Sequence, residues 1–416
     1  MTTDTTASAS SSATPCDLVL RGTAVLPEAV IPHAAIHIAQ DRIIWAGPAA
    51  HAPEAPGARV VEHDGLILPG LVDVHCHGGG GASFPDSSDP EEMMTAVLEH
   101  RRHGTTTMLA SLVTASADTL RARVRDLRVL ADRGDIAGIH LEGPFISVAR
   151  KGAQNPEHIV GGDAPLVREL GEIAGGALAT MTVAPETDDA NDVITALAEV
   201  GAIPSLGHTD CTSEQMTAGI AHSLTELRRA RGRFTAPTAT HLFNGMRPIH
   251  HRDPGPALAA LDAAARGEMI VEAIGDGVHL DPRTVAHIFS VAQDDCVLLI
   301  TDAMAAAGMA DGQYRLGSLD VTVAQGVATL TEGGAIAGGT AHLLDVLRST
   351  VLDAQVDLLR AVRAATIVPA RVIGVEHEVG SLQEGRRADV LLTDSDLHVQ
   401  CVLRDGEVVE GSGQLG

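Results

Sequence analysis

The chain has few aromatic residues, a single lysine and a deficit of positive charge. Only 2% of its 416 residues are aromatic, so Ala, Val, Leu and Ile must fill the core. Lys151 is the one lysine, and 29 basic residues stand against 54 acidic ones, for a formal net charge of −25. This balance argues against nucleic acid as a partner, because no stripe of cations is available for phosphates. An anionic substrate would need a few locally placed cations to overcome the overall charge.

Paired cysteines, a signal peptide and membrane-length apolar runs are also missing. The five cysteines are scattered and form no CxxC pair: Cys16, Cys76, Cys211, Cys296 and Cys401. This pattern favours a reducing cytoplasm over a disulfide framework. Residues 1–15 lack the basic and apolar regions of a signal peptide, and we expect them to form a disordered tail. No apolar run is long enough to cross a bilayer, so no membrane association is expected.

The two ends of the chain have the same sequence pattern. Residues 16–65 and 376–416 consist of short strand-like runs separated by turn residues, as in AAIHIAQDRIIWAG and ADVLLTDSDLHVQCVLRDG. They predict one small β-sandwich domain that is built from both termini. Residues 66–375 lie between these segments and form the second predicted domain.

The middle of the chain alternates strand-like and helix-like segments. Helical patterns such as DTLRARVRDLRVLADRG begin at a capping Asp and end at Gly. Eight strand–helix units predict a (β/α)8 barrel, with a doubly wound parallel sheet as the alternative. Residues 312–340 predict a hairpin insertion after the eighth strand. The eight strand candidates are residues 66–76, 104–112, 136–142, 177–186, 202–208, 236–242, 268–275 and 296–302.

Potential metal ligands stand at the ends of these predicted strands. His75 and His77 end the first strand, in PGLVDVHCHGGGG, and the strand period of two places both on one face. With twenty histidines in the chain, one such pair is expected by chance and decides nothing alone. The other candidates follow the third, fifth, sixth and eighth strands: Glu142, His208, His241 and Asp302.

Taken singly, each of these residues has a structural explanation. A strand-end histidine is often a partly buried core residue, and a strand-end carboxylate often caps the next helix. Six of them on five strand ends of a barrel are harder to explain in that way, because catalytic groups of barrel enzymes occupy those ends. Imidazole and carboxylate suit Zn²⁺ or Fe²⁺, and we therefore predict a shared metal site.

Seven segments carry a family resemblance from about residue 16 to the C-terminus. The chain resembles the amidohydrolase superfamily, and within it the deacetylases of amino-sugar phosphates. This resemblance implies a metal-dependent removal of the acetyl group from N-acetylglucosamine 6-phosphate, giving glucosamine 6-phosphate and acetate. The segments are PGLVDVHCHGGGG, HLEGPF, KGAQNP, SLGHTD, THLFNGM with the following HHRDPG, GDGVHLDP and TDAM.

The resemblance also implies roles for individual residues. Glu142, His208 and His241 match the ligands of the metal that activates water, and Asp302 matches the catalytic acid and base. His75 and His77 match the pair that holds a second metal in some members, with Glu142 bridging. We therefore expect two ions per subunit, Zn²⁺ or alternatively Fe²⁺.

The remaining matches concern the substrate. The residues implied to contact the sugar phosphate are Asn244, the backbone at Gly245, His279 and Arg252. Arg252 is expected to reach across from a second subunit, which implies a homodimer. Gln154 departs from the pattern, because some members carry there a histidine that polarises the amide carbonyl. An uncharged amide donates a hydrogen bond but supplies no charge.

Two other functions remain open from the residues alone. One is an amidohydrolase acting on a cyclic amide, in the manner of dihydroorotases or hydantoinases. Those enzymes bridge two metals with a carboxylated lysine at a strand end, whereas Lys151 is expected in a loop. The other is a non-catalytic sugar-phosphate-binding protein, which would not need Asp302 beside a full set of ligands.

Overall fold

The computed structural model describes residues 16–411. The first segment is a run of strands, each of which buries aliphatic residues over part of its length and leaves the rest partly or fully exposed. These strands are β1 (Leu18–Val25), β2 (Val30–Ala39), β3 (Arg42–Pro48) and β4 (Arg59–Pro69).

The middle segment alternates short buried strands with helices. Most of its helices begin at a side-chain cap, such as Ser116 or Thr212. The helix over Ala117–Asp132 begins at Ser116, two residues before the Asp118 that the sequence pattern predicts as its cap. Its elements are β5 (Leu71–Asp73), β6 (Gly78–Gly79), β7 (Ala82–Ser83), α1 (Pro90–Arg102), β8 (Thr105–Leu112), α2 (Ala117–Asp132), β9 (Gly138–Glu142), α3 (Ala164–Ala174), β10 (Leu178–Val183), α4 (Ala190–Glu199), β11 (Ile203–Leu206), α5 (Ser213–Ala230), β12 (Thr238–Ala239), α6 (Gly255–Ala265), β13 (Ile270–Ala273), α7 (Pro282–Val291) and β14 (Val297–Leu299).

The last segment contains the insertion, three helices and the C-terminal strands. The insertion is a three-stranded antiparallel sheet rather than a simple hairpin. The elements are β15 (Gly312–Leu316), β16 (Leu319–Ala324), β17 (Val327–Leu330), α8 (Leu343–Leu352), α9 (Leu358–Ala364), α10 (Ile367–Val372), β18 (Val390–Thr393), β19 (Val399–Arg404) and β20 (Glu407–Glu410).

Eight parallel strands form the predicted barrel, in the order β5, β8, β9, β10, β11, β12, β13, β14. The first and last strands meet just beyond their ends, where the Asp302 amide donates to the His75 carbonyl over 2.9 Å. Buried Asp73 reinforces this seam, since it accepts a hydrogen bond of 2.6 Å from the Thr301 hydroxyl. The (β/α)8 prediction is confirmed, and the C-terminal ends of its strands share one rim.

One stretch that the sequence predicts as a single strand, 66–76, serves two sheets. Leu66–Pro69 pair with β18, whereas Leu71–Asp73 pair with β8 in the barrel. Gly70 marks the transition, because a Cβ there would lie 2.2 Å from the Thr106 hydroxyl. Only a glycine allows the chain to pass so close to its neighbour.

The two termini form one mixed sheet, in the order β20, β19, β18, β4, β1, β2, β3. The edge strand β3 also meets the segment before β18, where the Ile43 amide donates to the Arg386 carbonyl over 2.9 Å. The sheet therefore curls over and encloses a core of its own, with Leu20, Ile36 and Val390 among its fully buried members. The division of the chain at residues 65/66 and 375/376 stays a prediction. Among the described residues, no helix is both long and apolar enough to cross a membrane.

Candidate metal centre

The six predicted ligand and acid–base residues meet at one end of the barrel. Glu142 ends β9, and the five others follow their strands within a few residues, so the common rim brings them together. Five of them line a cavity of about 250 Å³, and His75 lies fully buried beneath it. The lining residues of this set are His77, Glu142, His208, His241 and Asp302.

Glu142 joins the side chains into two groups. Its Oε1 lies 2.8 Å from Nε2 of His208 and 2.8 Å from Nε2 of His241. Its other oxygen, Oε2, lies 3.2 Å from Nε2 of His77, which in turn is 3.2 Å from Nε2 of His75. One carboxylate thus offers an oxygen to each pair of histidines, which is the arrangement expected of a bridging ligand.

Asp302 stands beside the second group. Its Oδ1 lies 3.2 Å from Nε2 of His77 and 3.4 Å from Nε2 of His75. Burial would raise the pKa of Asp302, but the neighbouring histidines outweigh it and lower that pKa to about 2. The carboxylate is therefore ionised at neutral pH.

Three of the four rings are oriented for metal binding through Nε2. Their Nδ1 atoms face oxygen atoms that can only accept, so each Nδ1 carries the proton and each Nε2 presents a lone pair to the centre. Such lone pairs repel the Glu142 and Asp302 oxygens unless a cation lies among them. The residues therefore fit a metal. The acceptors are the Arg150 carbonyl for His208 (2.8 Å), the Ser111 carbonyl for His77 (3.2 Å) and Glu272 Oε2 for His75 (3.3 Å).

The electrostatics of the centre favour a positive charge. Burial alone would lower the pKa of His77, but its bonds to Asp302 and Glu142 raise that pKa to about 10. Glu142 raises the pKa of His241 in the same way, to about 9, against the effect of burial. Two buried carboxylates thus bind protons onto the rings where no metal competes, and a divalent cation would replace those protons.

The backbone is strained where it delivers three of these side chains. His208, His241 and Asp302 have φ angles of 46°, 25° and 49°, in the left-handed region that few non-glycine residues occupy. Each such residue costs on the order of 1–3 kcal/mol and persists where the surrounding structure compensates. Gly245 makes room for one of them, since a Cβ there would lie 2.9 Å from Nδ1 of His208.

Four of the five residues predicted to contact substrate line the same cavity, and Arg252 does not. The Asn244 amide donates to the His241 carbonyl over 3.2 Å, and Gly245 follows it. His279 is fixed by a 2.8 Å contact between its Nδ1 and Asp276, while its buried Nε2 has no hydrogen-bond partner among the described residues. That free Nε2 is available to a ligand. The lining residues are Gln154, Asn244, Gly245 and His279.

Gln154 is held in one orientation. Its Nε2 donates to Glu142 Oε2 over 2.5 Å, and its Oε1 accepts from the Thr114 amide over 2.7 Å. The side chain therefore orients the bridging carboxylate. One N–H of its amide group remains for another acceptor.

Sequence reasoning missed a chain of buried polar side chains beneath the centre. Glu272 contacts Nδ1 of His75 at 3.3 Å and accepts from the His241 amide at 3.1 Å. From Glu272 the hydrogen bonds continue around the barrel interior through Ser205, Thr240, Thr182 and His140. The signal was present, because His140 shares a strand face with Glu142 and Glu272 is an acidic residue inside an apolar strand.

We expect the Glu272→Gln substitution to weaken metal binding at the His75/His77 pair by roughly 10–100-fold, as outer-shell partners do. The neutral amide holds the His75 ring less firmly with its Nδ1 protonated. Metal content after dialysis against graded chelator measures the effect, with Glu169→Gln as the control, since Glu169 pairs with Arg121 on the surface. Equal retention by both variants would show that Glu272 does not orient His75.

Four histidines and a shared carboxylate at the strand ends of a barrel are typical of the class of metal-dependent hydrolases. Residues 66–409 match the family described as the amidohydrolase family, and the chain belongs to it. This family is metal-dependent, and both groups of side chains here are able to hold a metal ion.

The relatives and solved structures agree on a narrower likeness. A structure from Mycobacterium smegmatis, described as an N-acetyl-D-glucosamine-6-phosphate deacetylase variant in complex with N-acetyl-D-glucosamine-6-phosphate, superimposes with a TM-score of 0.87 at 37% identity, covering 95% of this chain and 100% of that one. N-acetylglucosamine-6-phosphate deacetylase of Bacillus subtilis is 30% identical, over 86% of this chain and 88% of its own length. N-acetylgalactosamine-6-phosphate deacetylase of Escherichia coli O157:H7 is 32% identical, over 84% and 89%.

Proposed function

We propose that the protein hydrolyses N-acetylglucosamine 6-phosphate to glucosamine 6-phosphate and acetate. The observation that carries this proposal is the convergence of His208 and His241 on Glu142 inside one cavity, with Asp302 joined to Glu142 through His77. The likeness to the deacetylases named above supports the choice of substrate. The reaction would place the protein in amino-sugar metabolism, and a cytoplasmic location forms part of the same proposal.

The metal proposal is two Zn²⁺ ions per chain, with Fe²⁺ as the alternative. Glu142, His208 and His241 would hold one ion, and His75, His77 and the second oxygen of Glu142 the other. Bound there, a metal supplies a water of lowered pKa and polarises the amide carbonyl.

Asp302 is the proposed acid and base. Its ionised carboxylate would accept the proton of the attacking water and return it to the sugar nitrogen as the C–N bond breaks. The amine is a poor leaving group unless it is protonated, so both transfers are needed. Gln154 would orient Glu142 and donate its remaining N–H toward the substrate carbonyl.

The same cavity would bind the sugar phosphate. Asn244 and the Gly245 backbone would position the sugar. His279 keeps a proton on Nδ1 toward Asp276, so its free Nε2 would donate to a phosphate oxygen when the ring is doubly protonated. His279 lies only 3.9 Å from Asp302, so the phosphate site adjoins the acid–base group closely. Within residues 16–411, no arginine or lysine lines this cavity, so a phosphate needs a cation from elsewhere.

The alternative functions are less well supported. Lys151 lies outside the cavity, with its Nζ 3.5 Å from the Gly152 carbonyl, and Glu142 occupies the place of a carboxylated lysine. A cyclic-amide hydrolase of the dihydroorotase kind is therefore not favoured. A non-catalytic binding protein would have no use for Asp302 beside the ligands.

Release of acetate from N-acetylglucosamine 6-phosphate by metal-loaded protein tests the proposal. We expect turnover of this substrate to exceed that of unphosphorylated N-acetylglucosamine and of dihydroorotate. N-acetylgalactosamine 6-phosphate belongs in the same assay, because a relative of equal similarity is named for it. Absence of acetate release from either sugar phosphate, with metal bound, would overturn the proposal.

We further propose a homodimer in which Arg252 reaches the neighbouring cavity. Arg252 is exposed, and its guanidinium has no partner among the described residues. It lies on the loop between β12 and α6, which also carries Asn244 and Gly245. A phosphate in a chain of net charge −25 needs such a cation.

Replacing Arg252 by Ala should lower kcat/KM for the phosphorylated substrate by roughly 10–100-fold, since a charge-assisted hydrogen bond is lost. Turnover of unphosphorylated N-acetylglucosamine should stay the same. Arg266→Ala is the control, because Arg266 pairs with Asp262 on the surface. Mixed dimers of the Arg252→Ala and Asp302→Asn chains should exceed the summed activity of the two variants, since one composite site is intact. No such gain would exclude a contribution across the dimer.

A further inference from the structure

A second group of histidine and glutamate side chains lies outside the catalytic cavity, between helices α1 and α8. Glu99 is near the end of α1, His103 is its C-cap, and His342 is the N-cap of α8. Glu99 Oε1 lies 3.0 Å from His342 Nε2 and 3.4 Å from His103 Nδ1. The two rings stack with their centroids 3.6 Å apart. Three ligand atoms from two distant segments thus come together.

Among the described residues, the ion-pair partners of Glu99 are the two histidines, His103 and His342. No arginine or lysine in the described chain forms an ion pair with this carboxylate, although its side chain is only 15% exposed. The Glu99 carboxylate packs against Gly308, where a side chain would not fit, because a Cβ there would overlap the carboxylate. His100, fully buried, presents its ring edge-on to His342 at 5.4 Å and has an unpartnered Nδ1.

We propose that Glu99, His103 and His342 form a peripheral binding site for a divalent transition metal such as Zn²⁺. Glu99 and His103 are four residues apart and share one helix face, as metal-binding pairs on helices do. Two imidazoles and one carboxylate favour Zn²⁺ over Mg²⁺ or Ca²⁺, which take oxygen ligands. His103, 41% exposed, leaves the site open to solvent, so water completes the coordination.

Coordination requires a change at both rings. The Nδ1 of His103 now donates to the Glu99 backbone carbonyl over 2.9 Å, so this exposed ring must turn out of the stack to point a nitrogen lone pair at the metal. His342 must change its tautomer. At present His342 Nε2 lies 3.0 Å from the Glu99 carboxylate, which can only accept, so this nitrogen carries the proton. With the proton on Nδ1 instead, that nitrogen faces the Asp345 carboxylate at 3.5 Å, and Nε2 presents its lone pair to the metal. The ring would then be held through its second nitrogen, as in other histidine ligands.

The position of the site links it to the segments that follow two proposed catalytic-centre residues. His100 contacts the Gly78 carbonyl over 2.9 Å, immediately after His77. Gly308 lies on the loop after Asp302 and touches Glu99. A cation here would fasten α1 to α8 behind both loops, and we expect it to stabilise the fold without contacting substrate.

Titration of the protein with Zn²⁺ alone tests this site. Wild-type protein and the His103→Asn variant are first saturated at the catalytic centre, and further Zn²⁺ uptake is then measured by calorimetry and elemental analysis. We expect the wild type to bind about one equivalent more than His103→Asn and to melt at a higher temperature in Zn²⁺. The affinity loss should exceed the roughly 10–100-fold cost of losing an outer-shell partner.

Two further variants make the comparison decisive. His342→Asn removes the ring but retains a residue suited to cap α8, so it separates loss of a ligand from loss of folding. His222→Gln removes a helix-surface histidine that contacts the Asn191 carbonyl and serves as the control. The two site variants should lose the extra equivalent, and the control should keep it. Equal Zn²⁺ uptake by all four proteins overturns the proposal. Acetate release, measured in parallel, should stay within about twofold in every variant, because none of the three residues lines the catalytic cavity.

Discussion

The Asp302→Asn substitution is expected to lower kcat for N-acetylglucosamine 6-phosphate by about 10²–10⁴-fold, the usual contribution of a general acid–base group. The amide of Asn accepts no proton from water and returns none to the leaving nitrogen. The ligand set of Glu142, His208 and His241 is unchanged by this substitution. We therefore expect bound metal close to the wild-type amount, and the loss should appear in kcat rather than in KM.

Elemental analysis beside steady-state kinetics separates the two possible failures. Asp294→Asn is a matched control, because Asp294 lies just before the same strand, β14, and pairs with Arg360 outside the cavity. Its turnover should stay within about twofold, as is usual for surface changes. Near-normal turnover of the Asp302→Asn variant would show that another residue is the general base. Loss of bound metal together with loss of turnover would show that Asp302 acts mainly as a metal ligand.

The barrel and its rim were predictable because two simple rules determine them. Strand and helix segments alternate through the middle of the chain, and parallel strands connected by helices present all their C-terminal ends on one side. Once His75, Glu142 and Asp302 stand at such ends, their approach follows without any knowledge of the distances. The strand period of two then explains why His75 and His77 both reach the centre while Cys76 contacts His100 on the other side.

Other features depend on contacts that no local pattern describes. In the sequence, Glu272 is an isolated charge in an apolar strand. Its role follows only from its contact with His75, which lies nearly two hundred residues away in the chain. The transition at Gly70 depends on how closely Thr106 approaches, and the cluster around Glu99 depends on where α8 begins. The position of Arg252 relative to a substrate is also not predictable from local patterns, because the cavity that it is proposed to reach lies on another chain.

Glu142→Gln should have the largest effect on metal binding, because this one side chain supplies an oxygen to both groups of histidines. An amide carries no negative charge, and its NH₂ group presents hydrogens where the ions need lone pairs. We expect metal content to fall below one ion per chain. The fall in turnover should exceed the ~10²–10⁴-fold loss predicted for the acid–base variant.

The same variant tests whether metal and fold are coupled. A ligand at a thousand times its Kd stabilises the folded state by about 4 kcal/mol, so the wild type should lose thermal stability in chelator and recover it on adding Zn²⁺. Glu142→Gln should begin near the chelated state and gain little from Zn²⁺. If it recovered both metal and stability, the histidines alone would hold the ions. Glu142 would then serve only to fix Gln154 and the rings, and the bridging role inferred from its two oxygens would be wrong.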